Sequence, residues 1–95
     1  MTNSAPAEVQ ATIQIRNKYG LHARPAAEFV KLAATFQSEI WVRKDDLEVN
    51  GKSIMGMMML AAECGAEITI RVTGEDAKDA LGQLIGLVKN RFGED

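Results

Sequence analysis

His22 is the only histidine in the chain, and Arg24 and Pro25 follow it closely in the stretch "KYGLHARPAAEF", residues 18–29. An imidazole, a guanidinium and a helix-starting proline, set in that sequence, suit the handling of a phosphoryl group. Neutral imidazole is a nucleophile. A guanidinium offers a planar fork of donors matched to phosphate oxygens. If a helix begins near Ala23, His22 stands at or beside its N-cap, where the first backbone N–H groups lack intrahelical partners and the macrodipole places about half a positive charge. Such surroundings disfavour imidazolium and welcome the negative charge that a phosphoryl group brings. The same geometry then serves both the empty acceptor and the loaded state. On these residues alone, a plain polar side chain at an exposed helix start is the competing reading of His22.

Hydrolytic chemistry has less support. Residues 17–27 hold no Asp or Glu to orient the ring and no serine nucleophile, so a catalytic triad lacks local members. A small histidine-dependent phosphatase or phosphotransferase would need a general acid and a substrate pocket, and the sequence displays neither. One His and one distant Cys64 are too few soft ligands to close a structural zinc site, so neither a metal nor a cofactor is expected. The lone cysteine rules out an internal disulfide, fits a reducing compartment, and reads as a small buried apolar residue.

A second segment, "NGKSIMGMMMLAAECGAEITI", draws attention to Ser53. Ser53 directly precedes an apolar run and reads as the N-cap of a short helix reaching about Leu60 or Ala62. A phosphate there would sit at a helix N-terminus without disrupting it, while its charge of about −2 would alter the apolar face alongside. Met55, Met57, Met58 and Met59 cannot all face inward from one short helix. One or two should be exposed, and methionine suits a surface that meets several partners.

The elements that must position these residues are legible from periodicity. "VQATIQIR" alternates without a fault, as does "AEITIRV", and each reads as a strand with one wet face. Ala26, Phe29, Val30, Ala33 and Phe36 or Gln37 make a helical stripe from Ala23 onward, with Pro25 in the first turn, where a missing N–H costs nothing. "SEIWVRK" and "LEVN" pair as an antiparallel hairpin around Lys44–Asp46, with Ile40 and Val42 inward. A terminal helix follows, with Thr73 and Asp76 resembling a capping box and a stripe of Ala77, Ala80, Leu81, Leu84, Val88 and Leu87 or Phe92. Gly82 and Gly86 within it suggest close helix-to-sheet contact. The order is β-α-β-β-α-β-α. Strands apolar on one face need that face covered, which gives an α+β fold of two layers, an open-faced β-sandwich.

At 95 residues, 46% hydrophobic and 25% charged, the chain suits one soluble domain with one core. Residues 1–8 read as a flexible tail and 9–93 as the single domain. A net charge of −2 with no basic run argues against nucleic acid as a partner. "MTNSAPAEVQ" is no secretory signal, and the longest weakly interrupted apolar run falls short of the ~20 residues of a membrane span. No membrane insertion is expected, and the cytoplasm is the expected compartment.

Taken together, "GLHARPAAEFVKLAATF" and "NGKSIMGMMMLAAECGAEITI" resemble the two signature segments of the histidine-containing phosphocarrier family, HPr, of the bacterial sugar phosphotransferase system. The resemblance runs over roughly residues 9 to 92. It implies the same β-α-β-β-α-β-α sandwich, with a four-stranded antiparallel sheet and three helices on one face. It implies that His22 takes phosphate on Nδ1 from enzyme I, with phosphoenolpyruvate as ultimate donor, and yields it to enzyme IIA proteins, while Arg24 stabilises the group in transit. Pro25 matches the proline that starts the helix. Ser53 matches a serine that an ATP-dependent HPr kinase phosphorylates, linking the protein to carbon regulation and a transcriptional regulator. Ile54, Met55 and Met58 match the docking face, where Gly56 would allow close approach. Tyr19 stands where an asparagine or serine is common. The resemblance implies a monomeric phosphocarrier and not a turnover enzyme. A mainly regulatory protein, or a nitrogen-type phosphotransfer carrier without sugar uptake, is the alternative.

Overall fold

In the computed structural model, which describes residues 7–94, the alternating segments are strands and the amphipathic ones are helices. Along the chain run β1 (Glu8–Gln14), α1 (Ala23–Ala33), β2 (Glu39–Lys44), β3 (Leu47–Asn50), α2 (Ile54–Met59), β4 (Glu67–Thr73) and α3 (Ala77–Lys89), then a 3-10 turn, Arg91–Gly93. The four strands form one antiparallel sheet in the spatial order β1-β4-β2-β3. This is the expected α+β open-faced sandwich. Of the tail expected over residues 1–8, residues 1–6 lie outside the described residues, and Glu8 already belongs to β1.

Register explains which face is wet. Val9 lies opposite Val72, Ala11 opposite Ile70 and Ile13 opposite Ile68, while Ile40 and Val42 of β2 meet Val72 and Ile70 from the other side. Ile70 and Val72 are therefore flanked by apolar neighbours on both sides and Ile68 on the β1 side, and all three are fully buried. Helix α3 covers β1 and β4, α2 lies on β3, and α1 packs against both other helices, so the layers share one core. Phe29, Met57 and Leu84 are fully buried there. Each such side chain contributes about 1.5–3 kcal/mol by leaving water. The open face is polar: the Thr12 and Thr69 hydroxyls meet at 2.8 Å, and Arg71 spans Glu8 and Glu48 at 3.4 and 3.1 Å. Exposed ion pairs of that kind contribute only about 0–1 kcal/mol each.

Helix α1 begins where Pro25 requires and buries Pro25, Ala26, Phe29 and Ala33 on one face. Beyond its end, the Thr35 hydroxyl donates to Leu32 O at 2.7 Å, satisfying one orphan carbonyl. Helix α3 departs from expectation in three ways. Thr73 remains in β4, and Asp76, though it is the N-cap, makes no side-chain cap; its carboxylate is taken by the 37–38 loop. The expected capping box is absent because a tertiary partner outcompetes the local one. Gly82 and Gly86 would meet nothing within 4 Å if given a Cβ, so they face solvent and mark no close contact with the sheet. The helix also stops at Lys89; Phe92 is buried, but it reaches the core from the following turn, with φ +55° and Arg91 at φ +56°. Among the described residues no helix is long and apolar enough to cross a membrane.

Candidate functional site

The segment ahead of His22 is pinned to the loop that follows α2. Ile15 N–H donates to Ala66 O, Gly65 N–H to Ile15 O and Leu21 N–H to Ala62 O, each at 2.8 Å. Gly20 sits at φ +67°, and a Cβ there would strike the Ala62 carbonyl and lie 2.8 Å from Glu63 Cα. Glycine is thus the residue that lets the two loops close. Leu21 is buried and anchors the chain, so His22 emerges extended as the N-cap of α1. The first helical bond runs from Ala26 N–H to His22 O at 3.0 Å. The imidazole caps nothing, and its ring is left free for other partners.

Its partner is an acid 72 residues away. The Glu94 carboxylate lies against His22 Nε2, with Oε2 at 3.1 Å and Oε1 at 3.3 Å. Asn17 holds that carboxylate: its amide donates to Glu94 Oε1 at 3.1 Å and to Gly20 O at 2.7 Å. Asn17 is completely buried, and its Oδ1 has no partner among the described residues. The absence of an acid near His22 in the sequence therefore does not carry over to space, and the ring's surroundings are not purely positive. No local pattern reveals Glu94; the only hint is the Gly93 that precedes it, marking a chain reversal.

Arg24 is exposed and makes no ion pair among the described residues. Tyr19, 73% exposed, stands edge-on to His22 with ring centroids 6.4 Å apart, and Lys18 Nζ lies 5.3 Å from the Tyr19 ring. These residues, with Gly93 and Glu94, rim an open depression about the imidazole. Two cations and one carboxylate around a nucleophilic ring can receive an anionic group from a second protein.

Ser53 lies at the other end of α2. Its hydroxyl accepts from Gly56 N–H at 3.0 Å, as an N-cap should. Near it Lys52 Nζ donates to Phe36 O at 2.7 Å, beyond the C-terminus of α1, whereas Leu21, at the N-terminus of α1, bonds Ala62 after the C-terminus of α2. The two helices therefore run antiparallel, and six residues of α2 separate Ser53 from the histidine loop, about 9 Å at 1.5 Å per residue. The structure thus brings Arg24, Tyr19 and Glu94 to His22 but sets Ser53 apart.

Along α2, Met57 is fully buried while Ile54, Met55, Met58 and Met59 are 44, 74, 43 and 64% exposed. Three methionines are outside, not one or two, and Met59 joins the candidates Ile54, Met55 and Met58. A helix of one and a half turns lying on the edge strand β3 can bury only one narrow stripe. Gly56 supports that seat: a Cβ there would come 3.2 Å from Val49 Cβ, so the close approach it allows is to β3. Cys64, read as buried, is exposed on the loop after α2, its Sγ 3.7 Å from Arg16 O. Among the described residues no three His, Cys, Asp or Glu side chains gather as a metal-binding group.

Residues 9–90 match the family model described as "PTS HPr component phosphorylation site". The chain is 48% identical over 86 residues to the phosphocarrier protein HPr of Neisseria meningitidis serogroup A, an alignment spanning 90% of this chain and 97% of that one. A crystal structure of HPr from Thermoanaerobacter tengcongensis superposes with a TM-score of 0.88 at 47% identity, covering 92% of this chain and 98% of the other. Crh, the catabolite repression protein of Bacillus subtilis, matches with a TM-score of 0.72 at 46% identity over 87% of this chain and 95% of its own, and its crystal structure is a domain-swapped dimer.

Proposed function

Because the chain belongs to the HPr family of phosphotransferase-system phosphocarriers, we propose that His22 is its phosphoryl acceptor, loaded by enzyme I from phosphoenolpyruvate and unloaded onto enzyme IIA proteins. One observation carries this reading: an exposed imidazole at the N-cap of α1, unused as a cap, with Arg24, which makes no ion pair among the described residues, two residues on. The Nδ1 lone pair attacks phosphorus, the bond between phosphorus and the donor breaks, and the donor keeps the electron pair. Arg24 and the helix N-terminus neutralise charge on the phosphoryl oxygens during transfer. Incubation with enzyme I and phosphoenolpyruvate should give one acid-labile phosphate per chain. Label taken up equally by His22→Ala would sink the assignment.

The exposed face of Ile54, Met55 and Met58, with Met59, is the docking surface in this reading. Large adaptable apolar side chains beside an acceptor suit one protein that must meet several partners. The domain of residues 9–93 works in the cytoplasm as a monomer, without metal, cofactor or nucleic acid; a swapped dimer in solution, as in the Crh crystal, would overturn the monomeric part.

A second, regulatory role rests on Ser53. Its hydroxyl sits at the N-terminus of α2 beside the exposed Ile54 and Met55. Transfer of the ATP γ-phosphoryl group to that oxygen by HPr kinase would place about two negative charges against the docking face and change partner choice, including that of a transcriptional regulator. Incubation with HPr kinase and ATP, with Ser53→Ala as control, tests this; no incorporation leaves Ser53 a cap. A nitrogen-type carrier without sugar uptake would use the same His22 chemistry.

A further inference from the structure

A second open depression, of about 550 Å³, is lined by Arg16, Lys89, Asn90, Arg91 and Glu94. Arg16 comes from just beyond β1 and residues 89–91 from the end of α3, so only the packed fold brings them together. Three cations share this depression with one carboxylate, in a chain whose net charge is −2. That carboxylate is already engaged by His22 and Asn17, and Arg16, Lys89 and Arg91 make no ion pair among the described residues. Lys89 and Arg91 complement the negative end of the α3 macrodipole, but that end amounts to only about half a charge. Arg91 moreover sits at φ +56°, a region where glycine or asparagine is at ease and arginine is not. Its side chain is exposed, and what sets it apart from those better-suited residues is its charge.

We propose that this depression binds a compact polyphosphate, an anion of two or more linked phosphoryl groups, through Arg16, Lys89 and Arg91. Guanidinium forks match phosphate oxygens two at a time, and the Asn90 amide offers further donors. Cations drawn from two separate elements suit an anion with more than one charged group, because different phosphoryl groups can meet different cations. Every residue that lines the depression is polar. A protein partner is held mainly by apolar and aromatic anchors at the centre of its interface, and a nucleotide base by stacking. The depression offers neither, so a small ligand rich in charge is what it fits. The site lies apart from the acceptor depression of Tyr19, His22 and Arg24, with Glu94 as the wall common to both.

The test is a titration of the full chain with inorganic pyrophosphate, at low salt and without divalent cations, followed by backbone amide chemical shifts. Saturable shifts should centre on Arg16 and residues 89–91, and orthophosphate should bind about tenfold more weakly because it reaches fewer cations. ADP separates two sources of the same chemistry: affinity equal to that of pyrophosphate assigns the site to a free polyphosphate, and tighter binding to the diphosphate of a nucleotide. Arg16→Gln and Arg91→Asn should each weaken pyrophosphate about fivefold. Asparagine tolerates the left-handed backbone at position 91, so that loss is read on a folded protein. Lys78→Gln, which removes an exposed cation at the other end of α3, should leave the affinity unchanged. The assignment is overturned by the absence of saturable shifts, by shifts centred on His22 and Arg24, or by weakening as large in Lys78→Gln as in the other two variants.

Discussion

Asp76 ties the loop before β2 to the start of α3: its carboxylate accepts Gln37 N–H at 2.8 Å, Ser38 N–H at 2.9 Å and the Ser38 hydroxyl. These donors, the Ser38 hydroxyl first and the Gln37 N–H next, hold its carboxyl below the usual carboxylate range. A group whose acidity is raised by folding stabilises the native state while ionised. Its contribution is whole above the unfolded value of about 4 and disappears as pH falls through the lower native value. Urea unfolding of the native protein and Asp76→Asn should therefore differ most near neutral pH and converge in acid, once the Asp76 carboxylate is protonated in the native state. A gap that persisted unchanged into that acid range would refute the linkage.

The glycines divide into two classes by their surroundings. Gly20→Ala forces a Cβ against the Ala62 carbonyl at positive φ and should cost about 1–3 kcal/mol. Gly82→Ala and Gly86→Ala meet open space within a helix and should each stabilise by about 0.5–1 kcal/mol. Denaturant midpoints measure all three, and opposite signs are expected from the same chemical change.

Met55 and Met57 are two positions apart and should behave oppositely. Met57→Ala opens a cavity in the core and should cost about 2–5 kcal/mol. Met55→Lys, at a site 74% exposed, should leave stability within about 0.5 kcal/mol. Its KM as a substrate of enzyme I should nonetheless rise roughly tenfold, as for loss of an apolar anchor at an interface. Unchanged KM would remove Met55 from the docking face.

Ser53 separates capping from charge. Ser53→Ala loses the bond to Gly56 N–H and should lower stability by about 1 kcal/mol. Ser53→Asp can retain a cap and adds negative charge, so its stability should exceed that of Ser53→Ala. Thermal melts compare the two, and equal loss in both would show that the hydroxyl geometry alone matters.

The strands and α1 were legible because one-sided burial writes itself into a sequence as alternation or as a stripe of Ala26, Phe29 and Ala33. Ser53 was legible as a cap for the same reason: its partner, Gly56, is three residues away. Thr73 and Asp76 carried an equally good local signal that failed, since Ser38 and Gln37 offered Asp76 more donors than its own helix did. Cys64 failed because composition gives the average burial of a residue type, not the position of one loop.

Sequence alone determined that His22 begins a helix with Arg24 and Pro25 in its first turn, because N-terminal helix chemistry is local. It also determined that four methionines crowd one short helix, so that some must be exposed. Tertiary structure alone decided what faces the imidazole. Glu94 reaches His22 only because α3 crosses the sheet, Phe92 turns inward at strained dihedrals, and buried Asn17 holds the carboxylate. A contact that spans 72 positions depends on the packing of every element between them, and no periodicity along the chain encodes it.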